Sequence, residues 1–404
     1  MKYIVLVGDG MSGRPLDELN GRTTLEVAEK PYMDAIVKNG KIGTSVTIPK
    51  GLTPGSDVAN LSIIGYNPKK FYSGRGPFEA ANMGVELEST DVAFRCNLIT
   101  EAEDKVLDYS AGHINTTEAN VAIEAVDKVL GTDRIKFYPG VSYRHLAVVK
   151  AVDTDEAKKL SKIKCFPPHD IIGKRVSKHM PSGEGSGLLV KLMKDSRNIL
   201  SGLDVNRVRI DLGENPANMI WLWGQGVKPE MPPFEELYGA QGSIISAVNL
   251  INGIGKIIGL DVIDVPGVTG YYDTNFKGKG EYALKSLEKK DFVFVHVEAP
   301  DEAGHNGDIR AKITAIENFD KFVVGTIWEE FKTRDDYRIL VLPDHATPIE
   351  IRTHARDPIP FAVCGKGIAP DTALVFTEKS GRASRFVVNE GHLLMKYLMF
   401  LATK

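Results

Sequence analysis

The sequence predicts an α/β protein: a mainly parallel sheet with helices on both faces, and a smaller α+β domain inserted into it. Three observations lead there. Short β-branched runs are apolar on both faces, they alternate with stretches of helical periodicity, and the middle of the chain breaks that rhythm. A strand apolar on both faces must be covered on both, as in a parallel sheet held between helical layers.

The strand-like runs are KYIVLVG (2–8), IGTSVTI (42–48), SIISAV (243–248), LDVIDV (260–265), DFVFVHV (291–297), YRILVLP (337–343) and PFAVCG (360–365). Between them, SAVNLINGIGKIIGL (246–260) and ITAIENFDKFVVGTIWEEF (313–331) repeat their apolar residues at the spacing of amphipathic helices. From about residue 66 to about 230 the runs are shorter and more mixed, with Pro and Gly punctuation at YPGVSYRH and CFPPHD. The expected layout is a core domain from 1–65 and 231–404, with 66–230 inserted as a second, α+β domain. The segment ANMIWLWGQG (217–226) suits either domain. Internal repeats and low-complexity tracts are absent from the sequence.

A chain of 404 residues, 43% hydrophobic, can bury a large core. A net charge of −3 gives no basis for nucleic-acid or acidic-membrane partners. Three widely spaced cysteines, Cys96, Cys165 and Cys364, do not make a disulfide framework and point to a reducing compartment. The apolar run in MKYIVLVGDG is too short for a signal peptide, and Asp9 interrupts it. No stretch approaches the length of a membrane-spanning helix. The expectation is a soluble cytoplasmic protein acting on a small molecule.

Reactive groups of a parallel sheet gather at the carboxyl ends of its strands. Asp9 follows the first run, Asp301 follows DFVFVHV, and Asp344 with His345 follows YRILVLP. Asp301 and His305 are four residues apart, so on a helix they share one face. His354 follows in the loop after Asp344 and His345. Each residue has an ordinary reading: Asp9 as a turn residue, Asp301 as a helix-start charge, a histidine as a hydrogen-bonded core residue. Their recurrence at the same end of successive strands weakens those separate readings together. Carboxylate with imidazole, and no thiolate, is a donor set for Mn²⁺, Zn²⁺ or Mg²⁺. Two such ions close together clamp a displacement at phosphorus. In TPGSDVANLSIIG, Ser56 sits between a turn and a helix start. That position suits a helix N-cap. It also suits a nucleophile, because a helix N-terminus stabilises an attached phosphate. The sequence leaves both roles open.

VGDG near the start, PGSDVANLSIIGY, SGRGPFEAANMG, PDEAGHNGD, PDHAT and THARDPIPF occur in that order between residues 6 and 361. In this set the chain resembles the alkaline-phosphatase superfamily and, within it, the archaeal-type cofactor-independent phosphoglycerate mutases. The resemblance implies two divalent cations, usually Mn²⁺, with Mg²⁺, Zn²⁺ or Co²⁺ as alternatives. It implies one site from Asp301, His305 and His354, and another from Asp9, Ser56, Asp344 and His345. Ser56 would carry the phosphoryl group between the two hydroxyls of glycerate, without 2,3-bisphosphoglycerate as cofactor. A phosphoserine beside two cations must be kept from water, which gives a capping domain its purpose. For substrate oxyanions, the resemblance points to His113 and Arg144 in the insert, and less directly to Arg95, His169 and Asp170. Arg75 in the GRG loop reads first as a solvated arginine. Two rival readings share the machinery: a phosphotransferase with another acceptor, such as a homoserine-kinase-like enzyme, and a metal-dependent phosphatase open to water. The chain has no G-x-x-x-x-G-K-[ST] phosphate loop, and INGIGKIIG reads better as a small-residue packing face. A non-catalytic relative would be expected to have lost ligands, whereas all seven expected positions are filled.

Overall fold

In the computed structural model, which describes residues 1–401, two sheets form. The strands in chain order are β1 (Lys2–Gly8), β2 (Gly40–Ser45), β3 (Asp91–Ala102), β4 (Lys105–Asp108), β5 (Ile135–Val141), β6 (Arg144–Lys150) and β7 (Met219–Val227). They continue as β8 (Gly242–Ile245), β9 (Asp261–Val262), β10 (Phe292–Val297), β11 (Tyr337–Leu342), β12 (Ile359–Gly365) and β13 (Val387–Val388). By contact the chain divides into two compact units, Met1–Tyr72 with Met231–Lys404, and Ser73–Glu230.

The first unit holds an eight-stranded sheet in the order β13-β2-β12-β11-β1-β10-β8-β9. The sheet is mixed but mostly parallel, because only the β11–β12 and β12–β2 pairs run antiparallel. Its centre is β11-β1-β10, three parallel neighbours. Ile4 and Leu6 of β1 face a core built with Met33, Ile36, Phe276, Phe319 and Ile327. Val5 and Val7 alternate to the opposite face and are just as fully buried. Helix Asn249–Ile257 covers that side, with Gly255 set close enough that a Cβ would strike the Ile244 side chain. Burial on both faces explains why the sequence runs are apolar throughout rather than alternating.

Several elements are shorter than their patterns. LDVIDV pairs only over Asp261–Val262. SIISAV stops at Ile245, and the Ser246 hydroxyl accepts from the Val248 N–H instead, so the next helix begins at Asn249. The long amphipathic pattern 313–331 resolves into helix Ile309–Asn318, a π-helical stretch Phe319–Val324 and helix Gly325–Phe331. Asp320 lies in that wider turn. Its carboxylate, fully buried, accepts from the N–H groups of Tyr32 (3.1 Å) and Met33 (2.7 Å) at the start of helix Pro31–Lys38.

Burial raises the Asp320 carboxyl to about 7, against the pull of those two N–H donors and of Lys30. The folded group therefore holds its proton over a range where an unfolded aspartate, at about 3.9, has lost it. Its contribution to stability is present below about pH 4 and is lost as pH rises to about 7. Asp320→Asn removes this titration. The stability difference, wild type minus variant, should fall across that window with a slope approaching about 1.4 kcal/mol per pH unit. Urea unfolding at stepped pH measures it, and a flat difference would refute the assignment.

The second unit is an antiparallel sheet in the order β4-β3-β6-β5, with β7 along the other edge of β3. The segment 217–226 is thereby placed in this unit, through the β3–β7 register from Ile99 opposite Met219 to Val92 opposite Val227. Helices Thr116–Leu130 and Ser186–Ser201 close its core around the fully buried Trp221. Cys96, Cys165 and Cys364 are free thiols. Among the described residues, no helix is long and apolar enough to cross a membrane.

Candidate active site

The parallel order β11-β1-β10 decides which residues meet. Val7 of β1 pairs with Leu342 of β11 and with His296 of β10. The residues that follow these strands therefore leave the sheet side by side. Asp9 emerges from β1, Asp344 and His345 from β11, and Asp301 from the helix Ala299–Asn306 behind β10. Gly10 allows the convergence. It sits at φ +57°, and a Cβ there would lie 2.3 Å from Asp301 Oδ1 and 2.6 Å from Thr347 Oγ1. Its N–H donates to Asp344 Oδ1 at 3.0 Å.

One cluster comprises Asp301, His305 and His354. Asp301 Oδ2 is 3.1 Å from His305 Nε2 and 3.4 Å from His354 Nε2, and the two Nε2 atoms are 3.0 Å apart. His305 is held from behind by the Arg352 carbonyl, 3.0 Å from Nδ1, and Arg352 adopts the left-handed φ of 52° in presenting it. Thr347 Oγ1 donates to Asp301 Oδ1. Burial alone would raise the Asp301 carboxyl, but the two histidines outweigh it and hold it well below the usual range. Burial opposes the charge on His305, yet Asp301 lifts it to about 9.

A second cluster surrounds Asp9. Ser56 Oγ is 3.3 Å from Asp9 Oδ2 and 3.1 Å from His345 Nε2. His345 Nε2 is in turn 3.4 Å from both Asp9 Oδ1 and Asp344 Oδ2. Its donor atom also lies within 4.8 Å of those of Asp9 and Asp301, so this histidine stands between the clusters. Asn60 Nδ2 orients Asp344 at 2.8 Å, and Thr47 Oγ1 donates to the Asp344 carbonyl at 2.5 Å. Burial, then the proximity of Asp344 and Asp301, raises the Asp9 carboxyl well above its ordinary value.

Ser56 is not the N-cap that its sequence position suggests. Gly55 takes that place, and Ser56 is the first residue of helix Ser56–Ile63. Gly55 brings no capping side chain, the Val58 N–H donates to Asp57 Oδ1 at 3.0 Å, and the Ser56 hydroxyl turns to Asp9 and His345.

These residues fit divalent cations. A cation about 2.1 Å from each donor sets neighbouring donors about 3.0–3.4 Å apart, the spacing within the Asp301 cluster. Two imidazole Nε2 atoms 3.0 Å apart beside a carboxylate need a positive charge between them, a proton on His305 or a cation in its place. The nearby buried ammonium groups do not fill that role. Lys279 Nζ donates to the His296 carbonyl (2.7 Å), and Lys312 Nζ to the carbonyls of Thr347 (2.6 Å) and Ser12 (3.3 Å). Burial lowers both lysines to about 8.

In the second unit, four of the five substrate candidates join one strip of rings and cations. Arg95, on β3, stacks on Trp223 at 4.6 Å and pairs with Glu79 at 3.4 Å. Arg75 covers the same indole at 5.5 Å, so it is not the solvated arginine that its loop suggests. His169 packs on Trp223 at 5.4 Å and on Tyr109 at 6.1 Å. Tyr109 meets Tyr143, which contacts His113 and lies under Arg144. Asp170 is exposed, its carboxylate 3.8 Å from His169 Nε2. Burial, with Arg75 and Arg144 nearby, lowers Arg95 from its usual value, partly offset by Glu79.

Sequence reasoning did not find His296, Asn60, Thr347, Lys279, Lys312 or Trp223. A histidine inside the apolar run DFVFVHV was a visible signal for the first. Lys279 and Lys312 also fall on helix positions that point into the core.

A family model described as 2,3-bisphosphoglycerate-independent phosphoglycerate mutase matches residues 37–206. The chain is 52% identical over 384 residues to a protein of that name from Methanosarcina barkeri, covering 95% of each. It is 50% identical over 400 residues to 2,3-bisphosphoglycerate-independent phosphoglycerate mutase 2 of Methanothermobacter thermautotrophicus, covering 99% of this chain and 97% of the other. Its fold matches a solved structure of the cofactor-independent phosphoglycerate mutase from Thermoplasma acidophilum, with TM-score 0.67, 27% identity and full coverage of both chains.

Proposed function

Because the chain belongs to the 2,3-bisphosphoglycerate-independent phosphoglycerate mutases, which makes it an isomerase, we propose that it moves the phosphoryl group between O3 and O2 of glycerate by way of Ser56. The observation that carries this reading is the Ser56 hydroxyl. It lies in the first turn of a helix whose N-cap is glycine, 3.1 Å from His345 Nε2 and 3.3 Å from Asp9 Oδ2, where the donor clusters adjoin.

The chemistry is two transfers in sequence. Ser56 Oγ attacks phosphorus, the bond from phosphorus to glycerate O3 breaks, and the hydroxyl proton ends on O3. The glycerate then reorients, O2 attacks the phosphoserine, and Ser56 recovers its proton. No water is consumed. The single hydroxyl proton goes to Asp9 or to His345, the pair together aim the oxygen's lone pairs, and the first-turn N–H groups of the helix face the charge that arrives. Asp301, His305 and His354 would hold one divalent cation, and Asp9, Asp344, His345 and Ser56 a second. We take Mn²⁺ as the metal for this oxygen and imidazole set. When bound, the cations supply positive charge against the developing phosphoryl charge and favour the deprotonated serine.

The strip in the second unit has the chemistry to bind the substrate's phosphate and carboxylate. Arg75, Arg95 and Arg144 offer planar forks for such oxyanions, with Trp223 and Tyr143 fixing the guanidinium planes. His113 and His169 extend the same strip.

An enolase-coupled assay with 3-phosphoglycerate tests the reading. Conversion should proceed with no 2,3-bisphosphoglycerate added, stop on chelation and return with Mn²⁺. Release of inorganic phosphate in place of 2-phosphoglycerate would overturn it in favour of a phosphatase. Phosphorylation of homoserine by ATP, with glycerate untouched, would overturn it in favour of a kinase.

A further inference from the structure

We infer that His296 is an additional cation ligand, joining Asp9 and Asp344 through its Nε2. The inference deepens the two-cation reading above and rests on it. His296 lies on β10 opposite Val7, two residues before Asp9 in register, and is fully buried. Its Nε2 is 3.0 Å from Asp9 Oδ2. Yet among the described residues this ring nitrogen makes no hydrogen bond, although the carboxylate oxygen is so close. An enclosed ring nitrogen that makes no hydrogen bond carries an unrelieved desolvation cost. A cation between His296, Asp9 and Asp344, whose donor atoms all lie within 4.8 Å of one another, removes that cost.

The surroundings of His296 repeat those of His345. Each imidazole has a hydroxyl at Nδ1, Ser246 Oγ at 3.3 Å for His296 and Thr347 Oγ1 at 3.2 Å for His345. Each then directs Nε2 toward a different oxygen of Asp9. A ligating histidine has its tautomer and ring plane fixed by a partner at its other nitrogen, and a hydroxyl that accepts from Nδ1–H serves as one. Ser246 is itself held by the Val248 N–H at 3.0 Å, and Lys279 Nζ fixes the His296 carbonyl at 2.7 Å. A histidine that merely filled the core would not require both restraints. The geometry makes Asp9 a bridge between two imidazoles and raises the histidines around the pair of cations from three to four.

The test uses the intact chain loaded with Mn²⁺. Anomalous diffraction should place two ions per chain, one of them about 2.0–2.3 Å from His296 Nε2. X-ray absorption should count four imidazoles over two ions in wild type and three in His296→Gln. Calorimetric titration of His296→Gln should show one binding equivalent weakened about 10- to 100-fold and the other unchanged. Ser246→Ala keeps the ring but frees it, and should weaken the same equivalent about 10-fold. It serves if His296→Gln does not fold. An ion more than about 3 Å from His296 Nε2, or two wild-type affinities in either variant, overturns the inference alone. A single ion in wild type overturns the two-cation reading, and this inference with it.

Discussion

Ser56→Ala should lose on the order of 10⁴- to 10⁶-fold in kcat, the loss seen when a nucleophile that acts as part of a unit is removed. The geometry explains why no neighbour substitutes. Ser56 is the hydroxyl held between Asp9 Oδ2 at 3.3 Å and His345 Nε2 at 3.1 Å. Thr47 and Thr347 are also close by, but their hydroxyls already donate to the Asp344 carbonyl and to Asp301. The fold should tolerate the change. Ser56 caps no helix, and alanine is the strongest helix former at the helical position it occupies. Coupled turnover and a thermal melt, run on the same preparation, separate the two effects. More than about one hundredth of wild-type turnover in a folded Ser56→Ala protein would remove Ser56 from the chemistry.

Asp301→Asn is the second large expected effect. The carboxylate is buried, accepts from Thr347 Oγ1, and faces both His305 and His354 at 3.1–3.4 Å. An amide keeps the volume but removes the charge that draws the two imidazoles and a cation together. It also turns an NH₂ group toward one of those partners. Metal analysis should show one divalent cation per chain in place of two. Turnover should fall at least about 10³-fold, the scale of losing a principal charge-stabilising group from a water-poor site. Two cations retained in Asp301→Asn would show that His305 and His354 do not need this carboxylate, and the cluster would have to be redrawn.

The central sheet was legible because its strands obey a simple rule. A run such as KYIVLVG, apolar on both faces, can lie only between two covered faces, and Val5 and Val7 are buried as fully as Ile4 and Leu6. The spacing of Asp301 and His305 puts them on one face of any helix there, and the segment is helical from Ala299 to Asn306. Less legible were elements decided by partners far away in sequence. Pattern alone continues the helix through 313–331, but Asp320 must reach the N–H groups of Tyr32 and Met33, and the backbone widens to a π-turn there. Ser56 looked like an N-cap because serine before a helix usually is one. Only the strand order reveals the stronger acceptors, Asp9 and His345, on the other side. His296 escaped notice because one polar residue in an apolar strand carries no periodic signal, and its meaning depends on Asp9 of the neighbouring strand. Arg75 was misread for a related reason. Its loop is glycine-rich, but the indole it covers belongs to β7, far along the chain.

The central pairing of β1 with β10 and β11 has a consequence in time. Asp9 and His354 are separated by roughly 340 residues. At about 5–20 residues per second, the second leaves the ribosome some tens of seconds after the first. Until β10 emerges, KYIVLVG has neither hydrogen-bonded neighbour, and beyond Lys2 it is the kind of short, uncharged, β-branched segment that sticks to others like itself. Newly made chains should therefore depend on something that shields β1 until β10 and β11 arrive. Cations can be captured only at the last stage of maturation, once the order β11-β1-β10 has closed.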